Sequence, residues 1–181
     1  AAAPGRPGDV DASPLLAPVP RPGKVIPVGL NHHAHAAEGG AAIPASPMLF
    51  AKFPTAVVGP GATVEWDPAL TDAVDLEAEL AVVIGRRARR VPEGTALDYV
   101  LGYTCLNDVS ARDWQKGKPG GQWTLGKGFD TFGPLGPYLA TPDEVGDPNN
   151  LRVQLRLNGQ TMQDSSTSQF IFKIDFLIEY I

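Results

Sequence analysis

Glycine and proline interrupt this chain so often that its apolar residues fall into short runs. This spacing favours short strands and many turns over long helices. Of 181 residues, 20 are Gly and 18 are Pro. Five runs have the composition of β-strands: residues 25–30, 57–59, 76–84, 99–106 and 151–157. Three stretches have helical character: residues 32–38, 110–115 and 168–181. The sequence therefore predicts a β-rich α+β domain with few short helices.

The ends of the chain differ from this pattern. Residues 1–23 are rich in Ala, Pro and Gly, and we interpret them as an N-terminal arm or linker before one domain over residues 24–181. At the other end, apolar residues recur at helical spacing up to Ile181, with no terminal Gly or charged residue. We therefore expect either that more chain follows Ile181 or that a partner covers this end.

Charge and cysteine content limit the classes of function. The chain has 15 basic and 20 acidic residues, so we do not expect non-specific attraction to nucleic acid or to an anionic membrane. Residues 86–90 hold four Arg, and we interpret them as a solvated turn. No run of about 18 apolar residues predicts a membrane span. Cys105 is the only cysteine, which excludes an internal disulfide and fits the reducing cytoplasm.

Two glutamates alternate with apolar residues on the third predicted strand. Because side chains alternate between the faces of a strand, Glu77 and Glu79 share one face, with Cα atoms roughly 6.5 to 7 Å apart. Two carboxylates so placed can converge on a hard divalent cation such as Mg²⁺, Mn²⁺ or Ca²⁺. A solvated strand face with no ligand explains the same pattern.

Asp108 ends the next predicted strand and precedes a predicted helix. A carboxylate that is buried there needs a partner. The alternative is a helix cap by Asn107, Asp108 or Ser110.

A short helix carries a second group of polar side chains. His35 and Glu38 are three residues apart, so they face the same way and can hydrogen-bond, which would orient the imidazole as a general base. The Gly39-Gly40 pair that follows can hinge, which suggests a lid over substrate. A zinc site formed by His32, His35 and Glu38, or exposed histidines with no role, are the alternatives.

Several motifs occur together in order along the chain. They are APVPRPGK at 17–24, Gly29-Leu30-Asn31 with His35 and Glu38, LFAK at 49–52, DLEAELAVVIG at 75–85, NDVSARD at 107–113 and WTLGKGFDTFGP at 123–134. In these segments the chain resembles the fumarylacetoacetate hydrolase family from about Pro18 onward. Two departures are His32, where the family has Tyr, and the family's later Thr-Gly-Thr-Pro segment, which is not in this sequence.

The resemblance implies a mixed β-sandwich or roll, a homodimer, and a role for each candidate residue. Glu77, Glu79 and Asp108 would be the metal ligands, and His35 with Glu38 would activate water. Lys127, which could otherwise be an ordinary loop lysine, would be the active-site lysine beside the metal. Substrate contacts would come from three residues: Arg112 and Gln115, which could equally form a surface pair, and Lys52, which could equally be a lysine whose stem packs on the strand.

The implied activity is metal-dependent hydrolysis of a carbon–carbon bond in an acylpyruvate-type 2-oxo acid, a small-molecule reaction of the kind found in aromatic catabolism. Three other reactions fit the same residues: oxaloacetate decarboxylation, isomerisation of an oxo-dienedioate and hydration of a 2-oxo-alkenoate. A non-catalytic binding or assembly domain is the alternative from another class, since a shared fold does not fix a function.

Overall fold

The computed structural model describes residues 15–181, which contain ten strands, five α-helices and three 3₁₀ turns. The strands are β1 (Val28–Gly29), β2 (Met48–Leu49), β3 (Val57–Val58), β4 (Val74–Asp75), β5 (Ala78–Ile84), β6 (Val100–Asn107), β7 (Ser110–Ala111), β8 (Gly133–Ala140), β9 (Arg152–Leu157) and β10 (Gln160–Ser166). The α-helices are α1 (His33–Glu38), α2 (Arg112–Gly117), α3 (Trp123–Lys127), α4 (Pro142–Val145) and α5 (Ile174–Tyr180), and the 3₁₀ turns are Pro54–Ala56, Ala96–Tyr99 and Thr167–Gln169.

A four-stranded sheet in the order β3-β8-β6-β5 forms the centre of the fold. The β3–β8 pair is parallel, while β6 pairs antiparallel with both β8 and β5. Three antiparallel pairs surround this sheet: β1 with β2, β4 with β7, and β9 with β10. The predicted β-rich α+β class with few short helices is confirmed, and β5, the strand that begins after Glu77, is one of the two outer strands of the central sheet.

Five strands lie outside the predicted runs: the two-residue strands β2, β4 and β7, and two longer ones, β8 and β10, whose sequences lack the usual signal. In β8, Gly and Pro alternate with apolar residues, a composition that sequence rules assign to turns. In β10, from Gln160 to Ser166, Met162 is the only apolar residue. The turn before β10 carried a signal, since Asn158-Gly159 is a typical β-hairpin dipeptide and both residues have positive φ, 50° and 82°.

The third predicted strand was too long at its start. Residues 76–84 were expected to form one strand, but β4 ends at Asp75 and β5 begins at Ala78. In the interval, the Glu77 N–H donates to the Asn107 side chain and the Glu77 carbonyl accepts from the Asp108 N–H. Glu77 thus lies in a short break between two strands, not within one.

The helical predictions were confirmed for α1 and, with shifted bounds, for α2 and α5. Residues 170–173 were expected to be helical, but α5 begins at Ile174 because Asn31 binds the backbone before it. The Asn31 side chain donates to the Phe172 carbonyl at 3.0 Å and accepts from the Phe172 N–H at 2.8 Å. Helices α3 and α4 were not predicted, although Pro142 at the start of α4 and a Glu144 bond to the Thr141 N–H are helix-start signals.

Two small groups of buried apolar side chains form the core. Ala17, Leu106 and Leu135 make one, on the central sheet, and Val109, Ala111 and Phe132 make the other, beside the end of β6. Ala17 falls within the predicted N-terminal arm, whose residues 1–14 lie outside the described part of the chain. Among the described helices, none has the length and hydrophobicity needed to cross a membrane.

Candidate metal site

Three carboxylates converge where β5 begins and β6 ends. Ala78 pairs with Asn107 across the two strands, which brings Glu77 and Glu79 beside Asp108. Oxygen atoms from the three side chains lie within 4.8 Å of one another. Within residues 15–181, this is the one group of three or more acidic, His or Cys side chains close enough to share an ion. The three predicted metal ligands are therefore brought together, whereas His32, His35 and Glu38 are not.

Two buried lysines neutralise Asp108 from opposite sides. Lys52 Nζ donates to Asp108 Oδ1 at 2.5 Å, and Lys127 Nζ donates to Asp108 Oδ2 at 2.7 Å. Lys127 also reaches Glu77 Oε2 at 2.8 Å and Ser110 Oγ at 2.8 Å. The side chains of Lys52, Asp108 and Lys127 are at most 2% exposed, so this ion-pair network is shielded from solvent screening. Lys127 thus lies beside the candidate ligands, as the resemblance implied.

Lys52 makes contacts within the protein. Besides Asp108, its ammonium group donates to the backbone carbonyls of Val109 at 3.1 Å and Lys127 at 2.5 Å. All three ammonium protons therefore have partners, and the residue is 2% exposed. In this arrangement, Lys52 holds Asp108 and the end of α3 together and has no donor free for a substrate. Sequence alone could not find this contact, because Lys52 and Asp108 are 56 positions apart.

The guanidinium of Arg112 borders the site on its outer side. It donates to Glu77 Oε1 at 2.6 Å, to Asp75 Oδ2 at 2.6 Å and to Gln115 Oε1 at 2.9 Å. The pairing of Arg112 and Gln115, the alternative to substrate contact, is thus present; Gln115 is buried at 2% exposure, whereas the Arg112 side chain is 26% exposed. Burial acts to raise the pKa of Glu77, yet Lys127 and Arg112 hold that pKa below its usual value.

Glu79 is the one of the three carboxylates without a cationic neighbour in hydrogen-bond contact among residues 15–181. Burial, together with the adjacent charges of Asp108 and Glu77, raises the pKa of the Glu79 carboxyl to about 8. A carboxyl group in such surroundings is ionised more readily when a cation is bound beside it. The convergence of three carboxylates, one of them without a cationic hydrogen-bond partner in the described part of the chain, favours a metal ion at this site.

The donor set fits a hard divalent cation. All three candidate ligands offer carboxylate oxygen, which Mg²⁺, Mn²⁺ and Ca²⁺ prefer over the nitrogen and sulfur ligands of zinc. Glu77, Glu79 and Asp108 would hold the ion, and Glu79 borders a cavity that leaves this side of the cluster accessible. The identity of the metal stays a prediction.

The predicted catalytic pair lies on α1, in a different setting. His35 and Glu38 are both exposed, and no hydrogen bond between their side chains occurs in the described part of the chain. Neither residue lines the cavity of about 1250 Å³ that Glu79 borders, although Asn31 and His32, just before the helix, do. His32 contacts the edge of the Phe170 ring, with ring centroids 4.7 Å apart.

Residues 24–181 match the fumarylacetoacetate (FAA) hydrolase C-terminal family. The chain belongs to this family. Among curated relatives, oxaloacetate tautomerase FAHD2A, mitochondrial, of Bos taurus is 49% identical over 167 residues, which is 92% of this chain and 53% of that protein. The recognition of the family from its motifs is therefore confirmed.

Solved structures of the fumarylacetoacetate hydrolase family share the fold. The 5-carboxymethyl-2-hydroxymuconate delta-isomerase from Mycobacterium smegmatis is 44% identical, with a TM-score of 0.81 over 92% of this chain and 64% of that one. Fumarylacetoacetate hydrolase from psychrophilic Exiguobacterium antarcticum is 38% identical, also with a TM-score of 0.81, over 91% of this chain and 58% of that one. The chain spans about half to two thirds of the length of these relatives.

Proposed function

We propose that this chain carries the cation site of an enzyme that interconverts isomers of a dicarboxylic 2-oxo acid by moving a proton. The observation that carries the proposal is the convergence of Glu77, Glu79 and Asp108 within 4.8 Å beside Lys127. Support for isomerisation comes from two relatives that are named for it, an oxaloacetate tautomerase and a hydroxymuconate isomerase. A keto–enol change needs no water and no second substrate.

The acidic and the basic residues of the site would have different roles. A divalent cation held by Glu77, Glu79 and Asp108 would supply Lewis-acid polarisation of the 2-oxo group. Three carboxylates exceed the charge of that cation, and the ammonium of Lys127, 2.8 Å from Glu77 and 2.7 Å from Asp108, offsets part of the excess. The three ammonium protons of Lys127 are donated to Glu77, Asp108 and Ser110, so Lys127 would stabilise negative charge on a substrate oxygen through its positive charge and not through a free donor.

His35 is the base in this proposal. It would take the proton from carbon 3 of the keto form and, as imidazolium, deliver that proton to the 2-oxo oxygen to give the enol, so that atoms and charge balance and the imidazole ends neutral. Glu38, three residues further along α1, would orient the imidazole. Because both side chains are exposed, the proposal requires α1 to approach the cluster when substrate binds.

Carbon–carbon hydrolysis of an acylpyruvate is the second candidate. It is favoured by the similarity to a solved structure named fumarylacetoacetate hydrolase, and it would use the same His35 to activate water. Decarboxylation of oxaloacetate and hydration of a 2-oxo-alkenoate use the same cation site and stay alternatives, as does a domain without catalysis.

One set of assays separates these reactions. After treatment with EDTA, the protein is supplied with Mg²⁺ or Mn²⁺, and the enol of oxaloacetate is followed by its ultraviolet absorption. We expect metal-dependent loss of the enol without formation of pyruvate. Pyruvate from oxaloacetate would indicate decarboxylation, and pyruvate with acetate from acetylpyruvate would indicate hydrolysis. No turnover of either compound with either metal would contradict the proposal and favour a binding domain.

Assembly and location are also proposals. We propose a homodimer, and light scattering that shows only monomer at micromolar concentration would contradict it. We propose a cytoplasmic location from the single Cys105. The curated relative from Bos taurus is named as mitochondrial, so fractionation of cells that express the whole protein is the deciding measurement.

A further inference from the structure

Ala78 lies between two of the candidate metal ligands, and a side chain from a distant strand binds its backbone. Gln163 Nε2 donates to the Ala78 carbonyl at 2.8 Å, and Gln163 Oε1 accepts from the Ala78 N–H at 3.0 Å. The two residues are 85 positions apart. The Ala78 N–H belongs to the peptide unit that follows Glu77, and the Ala78 carbonyl belongs to the unit that precedes Glu79. Gln163 therefore holds both peptide units that connect the two ligands.

The position of Ala78 explains why a side chain is needed there. β5 is an outer strand of its sheet, so alternate residues direct their N–H and C=O groups away from β6. The backbone N–H and C=O of the preceding residue, Glu77, point the other way and bond to Asn107 and Asp108. A primary amide provides one donor and one acceptor at a spacing that can serve both groups of one residue. Gln163 replaces the missing neighbouring strand at this point.

The local structure of β10 directs Gln163 toward this edge. The pairing of β10 with β9 shifts register between Thr161 and Gln163, and such a shift changes the direction of the side chains that follow. Gln163 is half-buried, whereas the residues on either side of it, Met162 and Asp164, are exposed. The register shift in the β9–β10 hairpin thus occurs at Gln163, the β10 residue whose side chain bonds to β5.

We infer that Gln163 is a positioning residue for the cation site, acting through the backbone of Ala78. The inference rests on the proposed binding of a cation by Glu77, Glu79 and Asp108. Two carboxylates on alternate residues meet one ion only if the backbone between them keeps its orientation, and the Gln163 amide fixes that orientation from outside the ligand set. Groups that hydrogen-bond to metal ligands commonly change metal affinity 10- to 100-fold when removed, and Gln163 acts on the residue between two such ligands.

Isothermal titration with Mn²⁺ of the whole chain tests the inference. Gln163→Met keeps the length of the side chain and removes both hydrogen bonds, and we expect the Kd for Mn²⁺ to rise by about tenfold or more. The matched control is Gln160→Met, the same change at an exposed position on the same strand, which should leave the Kd within about twofold of the wild-type value. The electron paramagnetic resonance spectrum of bound Mn²⁺ should change in Gln163→Met and not in the control.

A purely structural role for Gln163 predicts a different result. The melting temperature of metal-free Gln163→Met would fall, while its Kd and its Mn²⁺ spectrum would match those of the wild type, and this outcome would overturn the inference. If Gln163→Met does not fold, Gln163→Glu decides. At neutral pH that variant keeps an acceptor for the Ala78 N–H and loses the donor to the Ala78 carbonyl, so we expect weaker Mn²⁺ binding despite the added negative charge. Equal or tighter binding would overturn the inference.

The proposed metal site and the role of Gln163 can fail separately. If the wild-type chain binds no Mn²⁺, the proposed cation site itself is wrong. If the wild type binds Mn²⁺ and the Gln163 variants bind it equally well, the cation site stands and only the positioning role is lost.

Discussion

The carboxylate cluster and helix α1 carry the two halves of the proposed chemistry, but the structure holds them very differently. Asp108 and its two lysines are almost completely buried and make six hydrogen bonds from the lysine ammonium groups alone. His35 and Glu38 are exposed on a six-residue helix without a side-chain cap. The difference indicates that the candidate cation site is formed without substrate, whereas the proposed role of His35 as base requires a movement of α1.

The largest effect is expected from removing the centre of the buried cluster. Asp108→Ala removes a candidate ligand and leaves Lys52 and Lys127 buried with one carboxylate fewer to balance their charge. We expect the rise in melting temperature with Mn²⁺ to disappear and the free energy of unfolding to fall by about 3–5 kcal/mol, as for other broken buried ion pairs. Urea unfolding and thermal shift measure both quantities.

The control for Asp108 is an exposed ion pair. Asp164→Ala breaks the contact of Asp164 with Arg152 at the surface, and neither the stability nor the Mn²⁺ response should change appreciably. A thermal shift with Mn²⁺ that persists in Asp108→Ala would show that the cluster is not the cation site.

The next largest effect concerns the base on α1. Since His35 is exposed and outside the carboxylate cluster, His35→Ala should keep the Kd for Mn²⁺ within a few-fold while turnover falls by roughly 10² to 10⁴, as for a lost general base. His33→Ala, at an exposed position on the same helix, is the matched control and should keep full turnover. Titration with Mn²⁺ and steady-state kinetics on oxaloacetate measure the two effects.

Two results would change the interpretation of α1. Loss of Mn²⁺ binding in His35→Ala would bring His35 into the metal site and erase the contrast between the two regions. Unaltered turnover would remove His35 from the mechanism and leave a reaction that depends on the cation and Lys127.

A smaller effect is expected from the partner of His35. Glu38→Gln removes a charge and keeps a carbonyl oxygen that can accept a hydrogen bond from the imidazole. We therefore expect turnover to fall by about tenfold, less than for the lost base. If kcat falls as far in Glu38→Gln as in His35→Ala, the charge of Glu38 is required and orientation alone is insufficient.

The same contrast explains how far the sequence could predict the site. Glu77, Glu79 and Asp108 were predicted as ligands from the family resemblance of their motifs. Strand alternation alone placed Glu77 and Glu79 on one face, and Glu77 in fact lies in the break between β4 and β5. The contacts of Lys52 with Asp108 and of Gln163 with Ala78 join residues 56 and 85 positions apart, and no local pattern encodes them. The motif around Lys52 predicted a contact with substrate, because the sequence does not show the three acceptors that bind its ammonium group.

For α1, the sequence predicted the helix but could not predict its exposure. Helical spacing places His35 and Glu38 on one face, yet it does not say what that face meets. The buried residue of α1 is Ala36, so the helix packs through a small side chain and leaves both candidate catalytic groups in solvent. Packing between distant elements decides this, and it also delays the start of the predicted C-terminal helix to Ile174 through the contacts of Asn31 with Phe172.

The smallest expected effect concerns His32, which joins the two regions: it precedes α1 and borders the cavity beside Glu79. Burial, and then the nearby charge of His35, lowers the pKa of His32. The unfolded chain, with a His pKa of about 6.5, therefore binds the proton more readily than the native protein. The stability that neutral His32 allows is present above about pH 6.5 and is lost as the pH falls through the lowered native pKa.

His32→Tyr keeps an aromatic ring beside Phe170 and does not titrate in this range. We expect urea unfolding between pH 7.5 and 5 to show a shallower loss of stability in the variant, by at most about 1.4 kcal/mol per pH unit. If stability falls equally with pH in the variant and the wild type, the surroundings of His32 tolerate the charged imidazole. The surroundings of His32 would then be less apolar than its contact with Phe170 suggests.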